Sequence, residues 1–274
     1  MNGNLKLISS NAQYKKYDYK YNGTTISDVH VFTTNSTQSI APAISTTRTS
    51  LASLNPLVTN RVVAKTNACM FSYNLNEFYG FYYQGPDHPM YIEGEAFSTP
   101  PAQSILYNDS KYYPSFCVKS DGSATIRWFK DKAALTTALP YCDYIIASAH
   151  TLVYDSKCVF NTYVYDPTET DMLIYNISSP GTNDRFNKGI TTRTANRTML
   201  GHLSNGNYVM VVTDDPISLE AGANLMQDLK CDYAVNMDGS SPCQMRIAAG
   251  YGPKGVVTSG SGTPLFTAVC AYLK

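Results

Sequence analysis

Short apolar runs, separated by polar turns, set the hydrophobic pattern of this chain. In several runs apolar and polar positions alternate, as at 125–129 (Thr-Ile-Arg-Trp-Phe), and this period of two is typical of a half-buried strand. Asn205-Gly206 lies between two runs and predicts a hairpin turn, because both residue types accept a positive φ. The pattern predicts strands at 26–32, 62–71, 78–83, 91–96, 115–119, 124–129, 144–147, 151–154, 173–177, 199–203, 208–213, 233–237, 245–248 and 265–273.

One segment, 218–230, has the period of an amphipathic helix. Ser218 can cap the first turn, Glu220 lies within that turn, and Lys230 is at the C-terminal end, where a positive charge is favourable. Leu219 begins a series of apolar residues at i, i+4, i+7 and i+10, which fall on one face. The segment therefore predicts a helix with one buried side.

Two shorter helices are predicted, at 131–139, stopped by Pro140, and at 47–54, ended before another proline. Many strands with two or three interspersed helices indicate an α+β fold, built on a mainly antiparallel sheet. We find no internal repeat and no linker long enough to divide the chain. The expected organisation is an N-terminal arm or peripheral strand at 1–25, followed by a single domain at 26–274.

The charge balance excludes some functions. Lys plus Arg is 21 and Asp plus Glu is 21 among 274 residues, so no global positive field exists for binding nucleic acid. No run of about 18 uncharged apolar residues predicts a membrane span. The polar first 20 residues contain no apolar segment of a signal peptide. The sequence indicates neither a compartment nor an oligomeric state.

The seven cysteines form no CxxC and have no zinc spacing to a histidine. An odd number, scattered along the chain, predicts buried free thiols, and one or more disulfides is the extracellular alternative. The four histidines are isolated from one another. No cofactor or metal is therefore required by the sequence, although a divalent cation stays open.

The segment 250–255 satisfies the dinucleotide pattern G-x-G-x-x-G. That pattern needs a helix directly after it and an acidic residue about 20 positions later. Here Val256 and Val257 follow, and no acidic residue occurs after Asp238. The segment is better interpreted as a turn between strands.

Three other segments place polar residues where chemistry can occur. A strand after the best helix runs into a turn of small residues, and this turn delivers Asn236 and Asp238 to the end of a sheet. Arg197, beside Thr198 at the start of a strand, can present a guanidinium to a phosphate. Asn67 interrupts an apolar run, so it is either a structural amide or a ligand contact.

The ordered set of these segments resembles the phosphodiester glycosidase family. Members of that family show Asn-Gly-x-Phe-Phe, Leu-Val-x-x-Gly, Arg-Thr-x-x-Gly with a hairpin, a helix, and Asn-Leu-Asp-Gly-Gly-Gly-Ser. This chain has Asn-Ala-Cys-Met-Phe at 67–71, Leu-Val-Tyr-Asp-Ser at 152–156, Arg-Thr-Met-Leu-Gly at 197–201 and Asn-Met-Asp-Gly at 236–239. The order agrees over residues 26–250.

Two departures mark a divergent member. Ser240 and Ser241 stand where the family has glycine, and Cys243 stands at a serine position. The segment 67–71 keeps only the asparagine and the last aromatic residue of its motif.

The resemblance implies a hydrolase that cleaves a sugar-1-phosphodiester at the anomeric carbon and releases a sugar and a phosphomonoester. The partner would be a small-molecule or glycan substrate with an anomeric phosphate. Phosphate is a good leaving group, so the site needs a cation for it, for which Arg197 is the candidate, and a carboxylate facing the anomeric carbon, for which Asp238 is the candidate. The candidate substrate-binding residues are Asn67, Asn236, Gly239, Thr198, Glu93, His150 and Asp214.

Two alternatives remain from the sequence. The first is a non-catalytic glycan-binding or structural module of a cell surface or virion, in which the altered turn has removed activity. The second is a hydrolase of a nucleotide-sugar or ADP-ribose-type phosphodiester. Convergence of the candidate residues in one site distinguishes an enzyme from a structural module.

Overall fold

The computed structural model describes residues 4–56, 58, 60–69, 71–72, 77–78, 80–83, 91–93, 113–129, 132–159, 164–165, 173–174, 194–257 and 262–274. The strands are β1 (Leu5–Asn11), β2 (Tyr14–Tyr21), β3 (Thr24–Thr33), β4 (Gln38–Thr49), β5 (Val62–Asn67), β6 (Phe71–Ser72), β7 (Glu77–Phe78), β8 (Gly80–Tyr83), β9 (Tyr91–Glu93), β10 (Tyr113–Val118), β11 (Ala124–Phe129), β12 (Tyr144–Ala147), β13 (His150–Tyr154), β14 (Lys157–Cys158), β15 (Val164–Tyr165), β16 (Leu173–Ile174), β17 (Thr198–Leu203), β18 (Tyr208–Thr213), β19 (Cys231–Asn236), β20 (Met245–Ile247), β21 (Gly255–Val256) and β22 (Leu265–Leu273). The α-helices of this part of the chain are α1 (Lys132–Ala138), followed by a 3-10 turn at Leu139–Tyr141, and α2 (Leu219–Asp228).

Three larger sheets organise these strands. The first has eight strands in the order β1-β2-β3-β18-β17-β19-β13-β14. The second has the order β11-β10-β12-β8-β9, and the third β21-β20-β5-β22-β4. Every strand pair between named strands is antiparallel, so the antiparallel part of the predicted fold is confirmed. The fold is dominated by sheets, so it fits an α+β class only loosely.

The hairpin predicted at Asn205-Gly206 joins β17 to β18, and Gly206 has a φ of 82°. The predicted long helix is confirmed as α2: the backbone N–H of Ala221 donates to Ser218 Oγ at 3.1 Å, which caps the first turn. The predicted strand at 173–177 is described only at 173–174.

The helix predicted at 47–54 is wrong. Residues 47–49 are the end of β4, where Thr49 pairs with Leu265 of β22, and a turn follows at 51–53. Leu51 and Leu54 are buried in a small apolar cluster beside β22, so their spacing reflects a turn that folds back onto the sheet.

The eight-stranded sheet is covered on both faces. On one face Met199 and Gly201 meet α2, since a Cβ at Gly201 would lie 2.9 Å from Met226 of that helix. Residues alternate across a strand, so Leu200 points to the other face, where Tyr208 packs edge-on against Phe116 of β10. Residues 5–21, part of the predicted arm or peripheral strand, form the outer strands β1 and β2 of this sheet.

Candidate active site

Several strands of the eight-stranded sheet begin or end together at one end of that sheet. The last residue of β19, Asn236, pairs on one side with His150 at the start of β13 and on the other with Met199 near the start of β17. The neighbouring strand β18 ends there with Thr213. The fold therefore brings four separate segments to one place.

Backbone hydrogen bonds fix the turn that carries Asp238. The N–H of Met237 donates to the carbonyl of Thr198 at 2.8 Å, and the N–H of Asp238 donates to the carbonyl of Ala68 at 2.8 Å. The first bond holds the turn to the eight-stranded sheet, and the second holds it to the chain that leaves β5. The Asp238 carboxylate also accepts the N–H of Gly239 at 2.8 Å.

Gly239 allows this turn to approach the neighbouring chain. A Cβ at this position would lie 2.6 Å from the carbonyl oxygen of Asn196, a distance that real Cβ atoms do not show. The same carbonyl accepts the N–H of Ser240 at 2.8 Å, and Ser240 has a left-handed φ of 66°. Glycine, which the family has at position 240, adopts such a φ readily.

Asn67 is fully buried behind the turn, at 1% exposure. Its Oδ1 accepts Thr198 Oγ1 at 2.7 Å and the backbone N–H of Gln244 at 3.0 Å, and its Nδ2 donates to the carbonyl of Asp238 at 2.9 Å. Of the two roles that the sequence leaves open, the geometry supports the structural amide. Thr198 likewise uses its hydroxyl within the protein.

Arg197 is also buried, at 2% exposure. Its Nε donates to the carbonyl of Ile217 at 3.3 Å, and its backbone exchanges hydrogen bonds with the hydroxyl and the N–H of Thr213, each at 3.0 Å. A charge held in low dielectric acts strongly on its surroundings. Burial and then the Arg197 charge lower the pKa of His150 to about 3, so this imidazole is neutral at physiological pH.

The thiol of Cys243 is buried, and its sulfur lies 3.5 Å from the hydroxyl oxygen of Thr198. Burial raises its pKa to about 12, the hydroxyl of Thr198 lowers it, and the charges of Asp238, Arg197 and Asp214 each act on it. One buried thiol therefore lies within the fields of both candidate catalytic groups and of a second carboxylate. Sequence reasoning singled out Cys243 only as a family departure.

Asn236 keeps one polar atom open. Its Nδ2 donates to the carbonyl of Met237 at 2.9 Å, whereas its buried Oδ1 has no hydrogen-bond partner in the part of the chain that the structure describes. Because a buried acceptor without a partner is costly, this oxygen is a candidate for a bound water or a substrate hydroxyl.

Asp214 is the more accessible of the two carboxylates, since its side chain is 22% exposed whereas Asp238 is a buried residue. The side chain of Asn196 donates to the carbonyls of Asp214 and of Thr213, the latter at 3.2 Å. Asn196, which sequence reasoning did not select, therefore joins the Asp214 segment to the Asp238 turn. Its position directly before the Arg-Thr motif was the available signal.

Glu93 is the last residue of β9, where it pairs with Gly80, and its side chain lies outside the described residues. Among the residues described, no three His, Cys, Asp or Glu side chains group as metal ligands. No helix in the same residues is long and apolar enough to cross a membrane.

The comparisons with known proteins identify a family and a shared fold. A family model described as phosphodiester glycosidase (NAGPA) matches residues 60–260. No curated protein matches the chain. The solved catalytic domain of zebrafish N-acetylglucosamine-1-phosphodiester alpha-N-acetylglucosaminidase, auto-inhibited by its pro-peptide, is 11% identical over 98% of this chain and 82% of that chain, with a TM-score of 0.63. A hypothetical protein from Synechocystis is 12% identical over 98% of this chain and 64% of that one, with a TM-score of 0.58. These structural likenesses show a shared fold.

Proposed function

Because the chain belongs to the phosphodiester glycosidase family, we propose that it hydrolyses a sugar-1-phosphodiester at the anomeric carbon. The products are a free sugar and a phosphomonoester. The observation that carries the proposal is the close packing of the Asp238 turn against Arg197 at one end of the eight-stranded sheet: a Cβ at Gly239, directly after Asp238, would lie 3.9 Å from Arg197 Cδ. Several bonds fix the Asp238 turn there, so its carboxylate is preorganised.

The two charged groups have complementary roles in this reaction. The bond to the leaving phosphate breaks as positive charge develops on the sugar, so a carboxylate near the anomeric carbon stabilises the transition state or activates water. Asp238 supplies this carboxylate. The positive charge of Arg197 stabilises the negative charge that leaves on the phosphate oxygens, and its burial strengthens that field.

The other candidate residues support these two. Thr198, Asn67 and Gly239 hold the Asp238 turn in place through the contacts described for them. The open Oδ1 of Asn236 accepts a hydroxyl or a water, and neutral His150 lies beside it on the adjacent strand. Glu93 and Asp214 are proposed to contact the sugar.

The test is a panel of sugar-1-phosphodiesters and nucleotide sugars, assayed for released sugar with and without a chelator of divalent cations. Asp238→Asn and Arg197→Ala should each lower the rate by roughly 10²–10³ or more, since each removes a charge that acts in the transition state. The matched controls are Asp155→Asn, at an exposed position with φ 48° that asparagine accepts, and Arg246→Ala, at an exposed position on β20.

The outcomes separate the alternatives. Turnover of sugar-1-phosphodiesters that is lost only in the Asp238 and Arg197 variants supports the proposal. Turnover of nucleotide sugars alone assigns the second hydrolase. Sugar binding without turnover of any compound assigns the glycan-binding module, and full activity in either site variant overturns the catalytic role of the residue that was replaced.

A further inference from the structure

A chain of hydrogen bonds runs from the N-terminal strands to the site. The Oη of Tyr14 on β2 lies 2.7 Å from Nδ1 of His30 on β3. The Nε2 of the same ring lies 3.1 Å from Oδ2 of Asp214. Sequence reasoning selected Asp214 alone, because the other two residues belong to strands far from it along the chain.

The chemistry of these three side chains decides which group donates and which accepts in each hydrogen bond. A carboxylate can only accept, so Nε2 of His30 carries the hydrogen that points at Asp214. In the neutral ring Nδ1 then holds a lone pair and accepts from the phenol. Burial, and next the charges of Asp214 and Asp28, raise the pKa of Tyr14 to about 12, so the phenol keeps the proton that it donates.

We call the hydrogen-bonded series from Tyr14 through His30 to Asp214 the relay, and its first two residues are closely packed. Tyr14 and His30 are both buried, and their rings are stacked with centroids 6.0 Å apart. Gly252 closes over Tyr14, since a Cβ there would lie 2.7 Å from the Tyr14 Cβ. The N–H of Asp214 also donates to the carbonyl of Asp28 at 3.2 Å, which ties the segment after β18 to β3.

Asp214 lies close to the candidate catalytic turn. Its carbonyl and that of Thr213 both accept the side chain of Asn196, and the carbonyl of Asn196 accepts the N–H of Ser240. Its charge acts on the Cys243 thiol, as the charge of Asp238 does. The relay therefore ends on a partly exposed carboxylate beside the site.

We propose that Tyr14 and His30 are positioning residues that hold Asp214 as the second carboxylate of the active site, where it accepts a hydrogen bond from a hydroxyl of the sugar. The proposal rests on the proposed function and deepens it. Both positioning residues precede residues 60–260, which the family model matches, so β2 and β3 complete the site from outside that stretch.

The first test is a double-mutant cycle on substrate turnover. Asp214→Asn should raise KM on the order of 10- to 100-fold, as expected for a hydrogen bond to a charged group. Tyr14→Phe should raise KM several-fold in the wild-type background and have no further effect in the Asp214→Asn background, because both act through one carboxylate. His30→Gln, whose amide can reach the position of Nε2, should retain more affinity than His30→Asn.

The matched control is Tyr19→Phe. Tyr19 is a buried tyrosine of the same strand, and its hydroxyl donates to Asp228 at 3.2 Å, away from the site. The Tyr19→Phe variant should leave KM unchanged. Equal KM effects of the two tyrosine variants, or an undiminished effect of Tyr14→Phe in the Asp214→Asn background, would overturn the positioning role.

A second readout does not need turnover. Binding of a non-hydrolysable sugar-1-phosphonate is measured by titration in the same variants, and ring ¹⁵N NMR reports the tautomer of His30. If no compound is turned over but the phosphonate binds with the predicted coupling and His30 carries its proton on Nε2, the relay is supported while the hydrolase proposal fails. Absence of coupling, absence of phosphonate binding, or a proton on Nδ1 that remains in Tyr14→Phe contradicts the relay.

Discussion

Replacing Asn67 by alanine tests how the Asp238 turn is held. The substitution removes an amide that accepts from Thr198 and from the N–H of Gln244 and donates to the carbonyl of Asp238. These three partner groups lie in the buried part of the site. After the change each of them is left in the interior without this partner.

The cost follows from the number of groups left without a bond. A buried polar group that loses its partner destabilises the fold by roughly 1–3 kcal/mol. If all three groups lost their bonds, the summed cost in the free energy of unfolding would be well above that of an average substitution. Water that enters the vacated space will satisfy some of them. We therefore expect a loss of about 3–5 kcal/mol in the free energy of unfolding, together with a fall in activity as the turn loosens.

Urea denaturation, with the midpoint and slope compared with wild type, measures this loss. Thr198→Val removes one of the bonds and should cost about 1 kcal/mol, because Asn67 Oδ1 keeps its contact with Gln244. The control is Asn60→Ala, at an exposed position whose amide donates to the carbonyl of Leu273 at 2.7 Å. It should change the free energy of unfolding by less than about 1 kcal/mol.

A different pattern would refute this reasoning. If Asn67→Ala unfolds at the same urea concentration as Asn60→Ala but loses activity, then Asn67 contacts substrate and does not hold the turn. If Asn67→Ala changes neither stability nor activity, the hydrogen bonds assigned to this amide contribute to neither.

Three further predictions concern the site and the buried thiols. Gly239→Ala should destabilise the protein by about 1–3 kcal/mol and reduce turnover, because the added Cβ meets the carbonyl of Asn196; thermal unfolding and the sugar-release assay check both effects. The folded-state pKa of His150 is lowered to about 3, so below about pH 6.5 the unfolded chain binds a proton that the folded protein does not. This group should therefore reduce the free energy of unfolding by about 2 kcal/mol between pH 7 and pH 5. His150→Gln should remove this pH-dependent contribution. Burial raises the pKa of Cys231 and of Cys270, so both thiols should resist alkylation in the native protein and react in urea. Intact-mass measurement checks this, and rapid labelling of either thiol in the native protein would contradict its burial.

The sequence predicted elements best where local signals and tertiary packing agree. Ser218 and the apolar spacing after it identified α2, and Asn205-Gly206 identified the β17–β18 hairpin, because each signal acts within a few residues. β4 was missed since its residues are rich in Ser and Thr and include Pro42. This proline pairs with Val269 in a strand at the edge of its sheet, where a missing N–H is tolerated.

The candidate site was only partly predictable. The ordered motifs selected Asp238 and Arg197, which the fold brings to one end of the sheet. The role of Asn67 was not decided, because its partner Asp238 lies 171 residues away and a residue type alone does not name its partners. Tyr14 and His30 carried no motif, and their relation to Asp214 exists only after β2, β3 and β18 have paired.

The most direct measurement of the central claim is sugar release from a sugar-1-phosphodiester by the wild-type protein and by Asp238→Asn, each shown to be folded. The account predicts release of sugar and phosphomonoester by the wild type and a loss of roughly 10²–10³ or more in the variant. Equal rates in the two proteins, or a folded wild type that releases nothing from any anomeric phosphodiester in the panel, would contradict it.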